Sequence, residues 1–409
     1  PAIWKVVPKT EWYPLEQLKN GKVRTFIIPP VHLVFWMEYF FLQQNEAFKQ
    51  IRWSAYGFNP YEGGTHRLAM SLMEKVALGW IIISYDVSGF DRRHPLMKDI
   101  YDLRRSYIET NEEDRLEWCI HNTTITMILL PDGTVLLKDV GNNSGGVGTT
   151  QDNIMGHTLA LLTALAKLYQ CDKKKILAAL NNLFGDDNIG AIPPPTIPDW
   201  ETTFKQSFEA FGWALDPFVA SQNLSDHTFL GFTFGTWRGR YIPLYNKGKL
   251  ACSFSHTIET NMPLHALFTK MYSLTIMSAP YEELFTPMHN IFHAALEQHS
   301  HSTDLTIQSF LEHGLPTRED CLKWMAGIEG GRNMYMHREH SAPYPLSSHT
   351  TEVGWNKVSI SDVATTTQNN TSTRDQEGRF ESDFKSAEGY AKNKNTIYYT
   401  TPTSNYSWC

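Results

Sequence analysis

No stretch of this 409-residue chain approaches the run of about 18 apolar residues that a membrane-crossing helix needs. The longest apolar segment, around Trp80 to Ile83, is strand-sized. Cysteine is scarce too: Cys119, Cys171, Cys252, Cys321 and Cys409 are scattered, odd in number and form no C-x-x-C pair. That excludes a disulfide framework or a zinc ribbon as the organising device and fits a reducing compartment. Charge is sparse, with 19% of residues charged against about a quarter in an average domain. The net charge of -7 counts against a small basic nucleic-acid-binding module. There is no internal repeat, no Gly-Lys-Ser/Thr of a P-loop and no H-E-x-x-H. The chain opens Pro1-Ala2-Ile3-Trp4, without Met or signal peptide, and is expected to be a fragment or a piece cut from a longer chain.

What is present divides the chain by pattern. The first 24 residues are locally basic, with Lys5, Lys9, Lys19, Lys22 and Arg24 against Glu11 and Glu16. Residues 31–50 are aromatic with helical period. Leu78 to Val87 reads as a buried strand and 94–109 as a helix. Gly141 to Gly148 is a Gly/Asn/Ser loop that opens into a long helix at 149–169. Asn182 to Ile192 reads as a hairpin, ended by Pro193-Pro194-Pro195. A helix is expected at 199–211. A second hairpin is expected over Thr228 to Tyr245, turning near Gly235 and Gly239. From 256 to 327 the pattern is mainly helical, with one helix capped by Thr317. Beyond 346 the Thr/Ser/Asn-rich composition cannot bury enough apolar surface to offset ordering entropy, so a loose tail is expected.

Three constellations carry chemistry. Asp86-Val87-Ser88-Gly89-Phe90-Asp91 sets two carboxylates five residues apart where a buried strand ends. Such carboxylates suit Mg²⁺, which takes one or two of them plus substrate phosphates. Alone, the pattern also fits two ordinary turn acids. Phe184-Gly185-Asp186-Asp187 puts adjacent Asp residues in a tight apolar hairpin, where they repel unless cations neutralise them. Asn143-Ser144-Gly145-Gly146-Val147-Gly148-Thr149 is a glycine-rich loop running into a helix. Its backbone can approach a phosphate closely. Thr149 and Asn153 lie four apart on one helical face. In this order, the three describe a two-metal phosphoryl-transfer site.

Together these motifs resemble those of viral RNA-dependent RNA polymerases of positive-strand RNA viruses, over roughly residues 1–245. Asp86-x4-Asp91 is similar to their motif A, Ser144-Gly145-x3-Thr149-x3-Asn153 to motif B, and Gly185-Asp186-Asp187 to motif C. The likeness runs toward the astrovirus-like group through Glu11-Trp12-Tyr13-Pro14-Leu15, Lys22-Val23-Arg24-Thr25-Phe26 with Pro29-Pro30, Gly57-x2-Pro60-x2-Gly63-Gly64, and Thr149-Thr150-x-Asp152-Asn153.

The resemblance implies an α+β right-hand fold with an antiparallel-sheet palm flanked by helices. It implies incomplete fingers at 1–80, a palm with motifs A to E and a fingers insertion at 81–254, a helical thumb at 255–345 and the tail at 346–409. Asp86, Asp186 and Asp187 would bind Mg²⁺ or Mn²⁺. Asp91 and Asn153 would read the ribose hydroxyls. Ser144, Gly145 and Thr149 would adjust as the nucleotide binds. Lys22 and Arg24, with Lys9 and Lys19 nearby, would contact the triphosphate. Phe229-Leu230-Gly231 resembles motif E beneath the primer end.

The implied partners are an RNA template and primer, nucleoside triphosphates, a viral protein primer and other replicase proteins cut from one polyprotein. The implied location is the host cytoplasm, in membrane-associated replication complexes. One departure stands out: no Lys occurs between Lys205 and Lys247, where many of these enzymes place a pyrophosphate-protonating lysine. His227 or water is left to supply that proton.

Other signals are weaker. His289, His293 and Glu297, with His299 and His301 nearby, fit the polar face of a helix better than a zinc site. Trp36, Phe40 and Phe41 read as core or as a base-stacking platform. Arg92 and Arg93 read as RNA contacts or as solvated. Two rivals remain. One is a reverse transcriptase, opposed by Asp91 where those enzymes place a bulky residue. The other is an inactive polymerase-like RNA-binding subunit, opposed by the intact carboxylates.

Overall fold

The computed structural model describes residues 1–9, 15–19, 21, 23–180, 182–256 and 262–328, with the dipeptides 358–359 and 398–399. Lys22 and, apart from the two dipeptides, the stretch expected as a tail lie outside the described residues.

The chain opens with β1 (Ile3–Pro8), α1 (Leu15–Lys19), β2 (Thr25–Ile28) and α2 (Val31–Ala47), then α3 (Gly64–Ala77). β3 (Ile81–Ser88), α4 (Phe90–Arg93), α5 (Met97–Arg105), β4 (Ile108–Glu109), α6 (Glu113–Thr124), β5 (Thr126–Leu129) and β6 (Val135–Lys138) follow. Next come α7 (Thr149–Leu168), α8 (Lys173–Ala179), β7 (Asn182–Phe184), β8 (Asp187–Ile192), α9 (Trp200–Glu209) and β9 (Ala214–Ser221). β10 (Phe232–Trp237) and β11 (Arg240–Tyr245) precede α10 (Lys247–Ser255), α11 (Leu264–Met277), α12 (Glu282–Gln298), α13 (Leu305–His313) and α14 (Arg318–Ala326).

β3 is the centre of a four-stranded sheet ordered β7-β8-β3-β9, with every pairing antiparallel. Its Ile-Ile-Ile-Ser-Tyr-Asp-Val-Ser sequence suits a strand covered on both faces, because β-branched side chains pack well on a pleated surface. Ile83, Tyr85 and Val87 face α7 and α9, packing with Leu161, Leu165, Phe204 and Phe208. Ile82 faces the other way, with Ile189 and Ala191, onto Leu68 and Leu72 of α3 and onto Phe229 and Phe232. Each fully buried Ile, Leu or Phe contributes about 1.5–3 kcal/mol. This double cover makes the end of β3 a rigid mount.

A second sheet joins β1, β2, β5 and β6. Its core against α2, α5 and α6 holds Trp4, Leu33, Met37, Phe41, Tyr101 and Leu116. The aromatic stripe of α2 belongs here. Phe40 and Phe41 are 5% and 0% exposed, and the Arg115 guanidinium lies 4.4 Å from the Trp36 ring. That corrects the stacking-platform alternative, since two of the three rings are out of reach of a base. The β10–β11 hairpin turns at Arg238–Gly239, both with positive φ. Gly235 sits in mid-strand, so only one of the two expected turn glycines makes the turn.

Helices α11 to α13 pack around Phe268, Phe292 and Phe310. Thr317 caps α14 as expected, accepting from the Asp320 amide. α14 returns to the base of α3, where Tyr61 stacks on Trp324 at 4.4 Å and the Glu62 and Gly63 amides donate to the Trp324 and Met325 carbonyls. The His289 and His293 rings lie side by side at 4.5 Å. Among the described residues no three His, Cys, Asp or Glu side chains are grouped to hold a metal. Nor is any described helix long and apolar enough to cross a membrane.

His94 is buried against Phe90 and Trp213, and its Nε2 has no hydrogen-bond partner. Burial holds its pKa down to about 3. The unfolded chain protonates this ring below its ordinary value near 6.5, while the folded chain does not, so the contribution is full above about 6.5 and falls as pH drops toward 3. At pH 4.5 the loss is about 2.5 kcal/mol. We expect His94→Asn to show a shallower fall of Tm than the parent between pH 6.5 and 4.5 in thermal melts. Parallel curves would refute the assignment.

Candidate active site

The antiparallel register pairs Tyr85 with Asn188, so the next residues, Asp86 and Asp187, emerge at one end of the sheet. Phe184 pairs with Asp187 across a two-residue turn of Gly185 and Asp186. Gly185 has φ +64, a backbone that the first turn position of such a hairpin requires and that a side chain resists. On the other edge of β3 the pairing to β9 shifts between Tyr85 and Val87, leaving Asp86 opposite Asp216–Pro217. Asp86 thus projects from an irregularity in an otherwise covered strand. Asp86 and Asp186 remain exposed, and Asp187 is half-buried.

Electrostatics tie these residues together. Burial, then the charge of Asp86, pushes the Asp186 carboxyl up to about 6. Burial pushes Asp187 up to about 7, with Asp186 and Asp86 adding to the rise. The Leu230 amide donates to Asp187 at 2.9 Å and opposes it. Asp86 is also raised, first by desolvation, while Arg24 pulls it back and Asp216 pushes it further. Arg24 lowers Asp186 as well, so this exposed cation on the lead into β2 faces both carboxylates.

The residues expected to face a nucleotide form a second cluster beside the first. Asn153 on α7 donates to Asp91 at 2.7 Å. Its Oδ1 accepts from Asn142 at 2.9 Å, and the Asn142 amide donates to the Asp91 carbonyl at 2.6 Å. The Thr149 hydroxyl donates toward the Asn143 and Gly146 carbonyls at 2.6 and 2.8 Å, closing the loop into a compact turn. Ser144 is exposed at its tip. A Cβ on Gly145 would stand 2.2 Å from the Ile27 carbonyl oxygen, so the loop lies directly against β2 and only glycine fits.

Several functional-looking residues escaped sequence reasoning. Asn142 and Asn143 read as loop filler, yet they organise Asp91, Asn153 and Thr149. Lys138 donates to the Asn142 carbonyl at 2.6 Å and to Asn143 Oδ1 at 2.8 Å. Burial brings its pKa down to about 8, against the pull of Asp91. Asp152 is fully buried in an ion pair with Arg104, and Tyr101 donates to it at 2.9 Å. Arg104 also donates to Asn45 Oδ1 at 2.5 Å. This network bolts the first turn of α7 to α2 and α5. The motif likeness included Asp152 without giving it a role, and its four-residue spacing from a buried stripe was the other sequence signal.

One expectation fails. His227 is 0% exposed; its Nδ1 stands 2.8 Å from the Ser84 hydroxyl and its Nε2 3.3 Å from the Ser221 carbonyl. It is sealed under the sheet, where no leaving group reaches it.

The donor set suits a hard divalent cation. All the donors are carboxylate oxygens, crowded enough to raise one another's proton affinity. That fits Mg²⁺, which takes one or two carboxylates and completes its shell with water and substrate phosphates.

An antiparallel palm ending in this cluster, flanked by helices and opposed by a second sheet, is the architecture of a right-hand nucleic-acid polymerase. Residues 1–305 match the family described as viral RNA-dependent RNA polymerase, and the chain belongs to it. It is 25% identical over 306 residues to the genome polyprotein of Plum pox potyvirus (strain El amar), covering 73% of this chain and 20% of that polyprotein. It is 31% identical over 203 residues to the Beet mosaic virus genome polyprotein, covering 47% and 6%. The chain therefore spans about a fifth or less of these curated relatives. Among solved structures, the sicinivirus 3Dpol RNA-dependent RNA polymerase superposes with a TM-score of 0.60 at 18% identity, covering 80% of this chain and 68% of that one.

Removing one partner of the buried pair leaves an uncompensated charge, which costs about 3–5 kcal/mol. Asp152→Ala should lower the unfolding free energy from urea melts by that amount, seen as a lower midpoint at unchanged slope. Asp152→Ala with Arg104→Met should recover part of the loss. A neutral single variant would show that the network carries no stability.

Proposed function

We propose that this chain is the catalytic unit of template-directed RNA synthesis, joining nucleoside triphosphates to an RNA 3′-hydroxyl. The observation that carries this is the convergence of Asp86 with Asp186 and Asp187 at one sheet end, beside the Asp91–Asn153 bond. Asp86, Asp186 and Asp187 would hold Mg²⁺ or Mn²⁺. Bound there, the cations lower the pKa of the attacking hydroxyl and offset charge on the departing pyrophosphate.

The chain's own residues do the rest. One N–H of the Asn153 amide donates to Asp91 and its oxygen accepts from Asn142, so it holds the Asp91 carboxylate at a fixed angle. The free oxygen of Asp91 can accept a 2′-OH proton, which deoxyribose lacks. Arg24, joined by Lys22, brings positive charge to the triphosphate. Ser144 and Gly145 lay loop backbone along the nucleotide, and Thr149 holds the loop's shape. With no lysine in the segment and His227 sealed, water protonates the leaving group.

In the same reading, residues 1–80 are fingers, 81–254 palm and 255–345 thumb. The motif set favours the astrovirus-like group, and with it protein-primed initiation alongside other replicase proteins. Its place would be the host cytoplasm, at membrane-associated replication complexes.

Asp186→Asn should cut nucleotide addition on primed RNA by more than about 100-fold while filter-binding affinity for RNA stays within about twofold. Full activity in that variant would remove the carboxylates from the mechanism. Separately, the parent should prefer NTP over dNTP, and Asn153→Ala should narrow that preference by about tenfold, the worth of one lost hydrogen bond. A parent that prefers dNTP would favour the reverse-transcriptase reading instead.

A further inference from the structure

One buried side chain bonds to the residue before each of two carboxylates, to a backbone carbonyl in one case and to a side-chain hydroxyl in the other. His157 lies on α7 one turn beyond Asn153 and is 0% exposed. Its Nδ1 stands 3.0 Å from the Gly185 carbonyl oxygen and its Nε2 3.0 Å from the Tyr85 hydroxyl. A carbonyl only accepts, so Nδ1 carries the proton and donates. Nε2 is then bare and accepts from the Tyr85 O–H. Tyr85 immediately precedes Asp86 in β3, and Gly185 immediately precedes Asp186 in the turn.

A plain packing residue does not explain this ring. Tyr85, Phe90 and Phe208 surround it at centroid distances of 5.5, 5.7 and 5.7 Å, a box that another Phe or Leu would fill at lower cost. Both of its polar atoms are satisfied, and both bonds end one residue short of a carboxylate. Those carboxylates repel each other. The Asp86 side of the gap lies at a register shift, and the Asp186 side lies in a two-residue turn. Each departs from regular ladder pairing, so the ladder holds the strands and leaves the carboxylate-bearing residue to be fixed by other contacts. Burial keeps the imidazole neutral, with a pKa near 4, so the donor–acceptor pattern holds throughout the neutral range.

We infer that His157 is a positioning residue, which fixes the separation of Asp86 and Asp186 and thereby sets their joint affinity for a divalent cation. The inference rests on the reading of these carboxylates as the cation site. Outer partners of metal ligands typically change metal affinity by about 10- to 100-fold when removed.

The test is direct binding, independent of catalysis. Mn²⁺ is titrated into the full chain, the free ion is counted by electron paramagnetic resonance, and Tm is measured on the same samples. His157→Phe keeps the ring and removes both bonds, and should weaken Mn²⁺ binding by about tenfold or more. Tyr85→Phe removes one hydroxyl and should weaken it several-fold. The double variant should be no weaker than His157→Phe, because one tie is lost only once. His157→Gln retains a donor and an acceptor and should recover most of the affinity.

An unchanged dissociation constant in Tyr85→Phe and His157→Phe, with Tm lowered, would show a packing role and overturn the inference. Should His157→Phe fail to fold, the Tyr85→Phe titration decides alone. If the parent binds no more Mn²⁺ than Asp186→Asn does, the cation-site reading itself falls, and the inference falls with it.

Discussion

The site depends on β3 being paired along both edges and covered on both faces. A strand so enclosed cannot slide, since a one-residue slip would turn Ile82, Ile83, Tyr85 and Val87 to the wrong sides. Tyr85, the residue before Asp86, is therefore delivered to a fixed point. The β7–β8 hairpin is registered on the same strand, so the position of Asp186 and Asp187 follows from the pairing of Tyr85 with Asn188. Carboxylates that would drift apart in a loop are kept close by hydrophobic burial elsewhere.

α7 supplies the second constraint. Its successive turns present Thr149 to the glycine loop, Asn153 to Asp91, and His157 to the Gly185 carbonyl and the Tyr85 hydroxyl, each on the residue before a carboxylate. Its first turn is anchored by Asp152 to Arg104, which in turn reaches α2 through Asn45. One helix thus relates the Asp91–Asn153 pair to the carboxylates at a set spacing and ties both to the β1–β2 side of the cleft. Gly145 against the Ile27 carbonyl completes that link, because β2 follows directly on Arg24.

Much of this was legible from the chain alone. β3, α7 and the β7–β8 hairpin carry strong local signals: a β-branched run, a glycine loop opening an unbroken helix, and Gly-Asp-Asp between apolar strands. The motif residues are spaced by local structure, so their order along the chain carries over into space. Asn142, Lys138, Asp152 and His157 were not legible in the same way. Each acts through a partner 11 to 72 residues distant or through a neighbouring carbonyl, and side-chain type says nothing about which distant group it will meet. His227 shows the converse. Its position near the motif D stretch suggested chemistry, whereas the antiparallel return of β9 turns it beneath the sheet.

The net charge of -7 now carries a different meaning. A polyanion-binding protein with excess negative charge looks contradictory only if charge is counted over the whole chain. In the cleft, Asp186 and Asp187 titrate near 6 and 7, so the folded chain binds protons there that the unfolded chain would release. Stability from this source is full below about 3.8, the ordinary carboxylate value, and is lost as pH rises from there through about 6 to 7. At neutral pH the fold therefore holds anions that are unfavourable without a counter-charge. Arg24 supplies part of it, and divalent cations arriving with a triphosphate would supply the rest. A cleft built this way disfavours a bare polyanion and favours one that brings its own cations. The acidity counted at first against a small basic nucleic-acid-binding module is what a partner arriving with its own cations would neutralise.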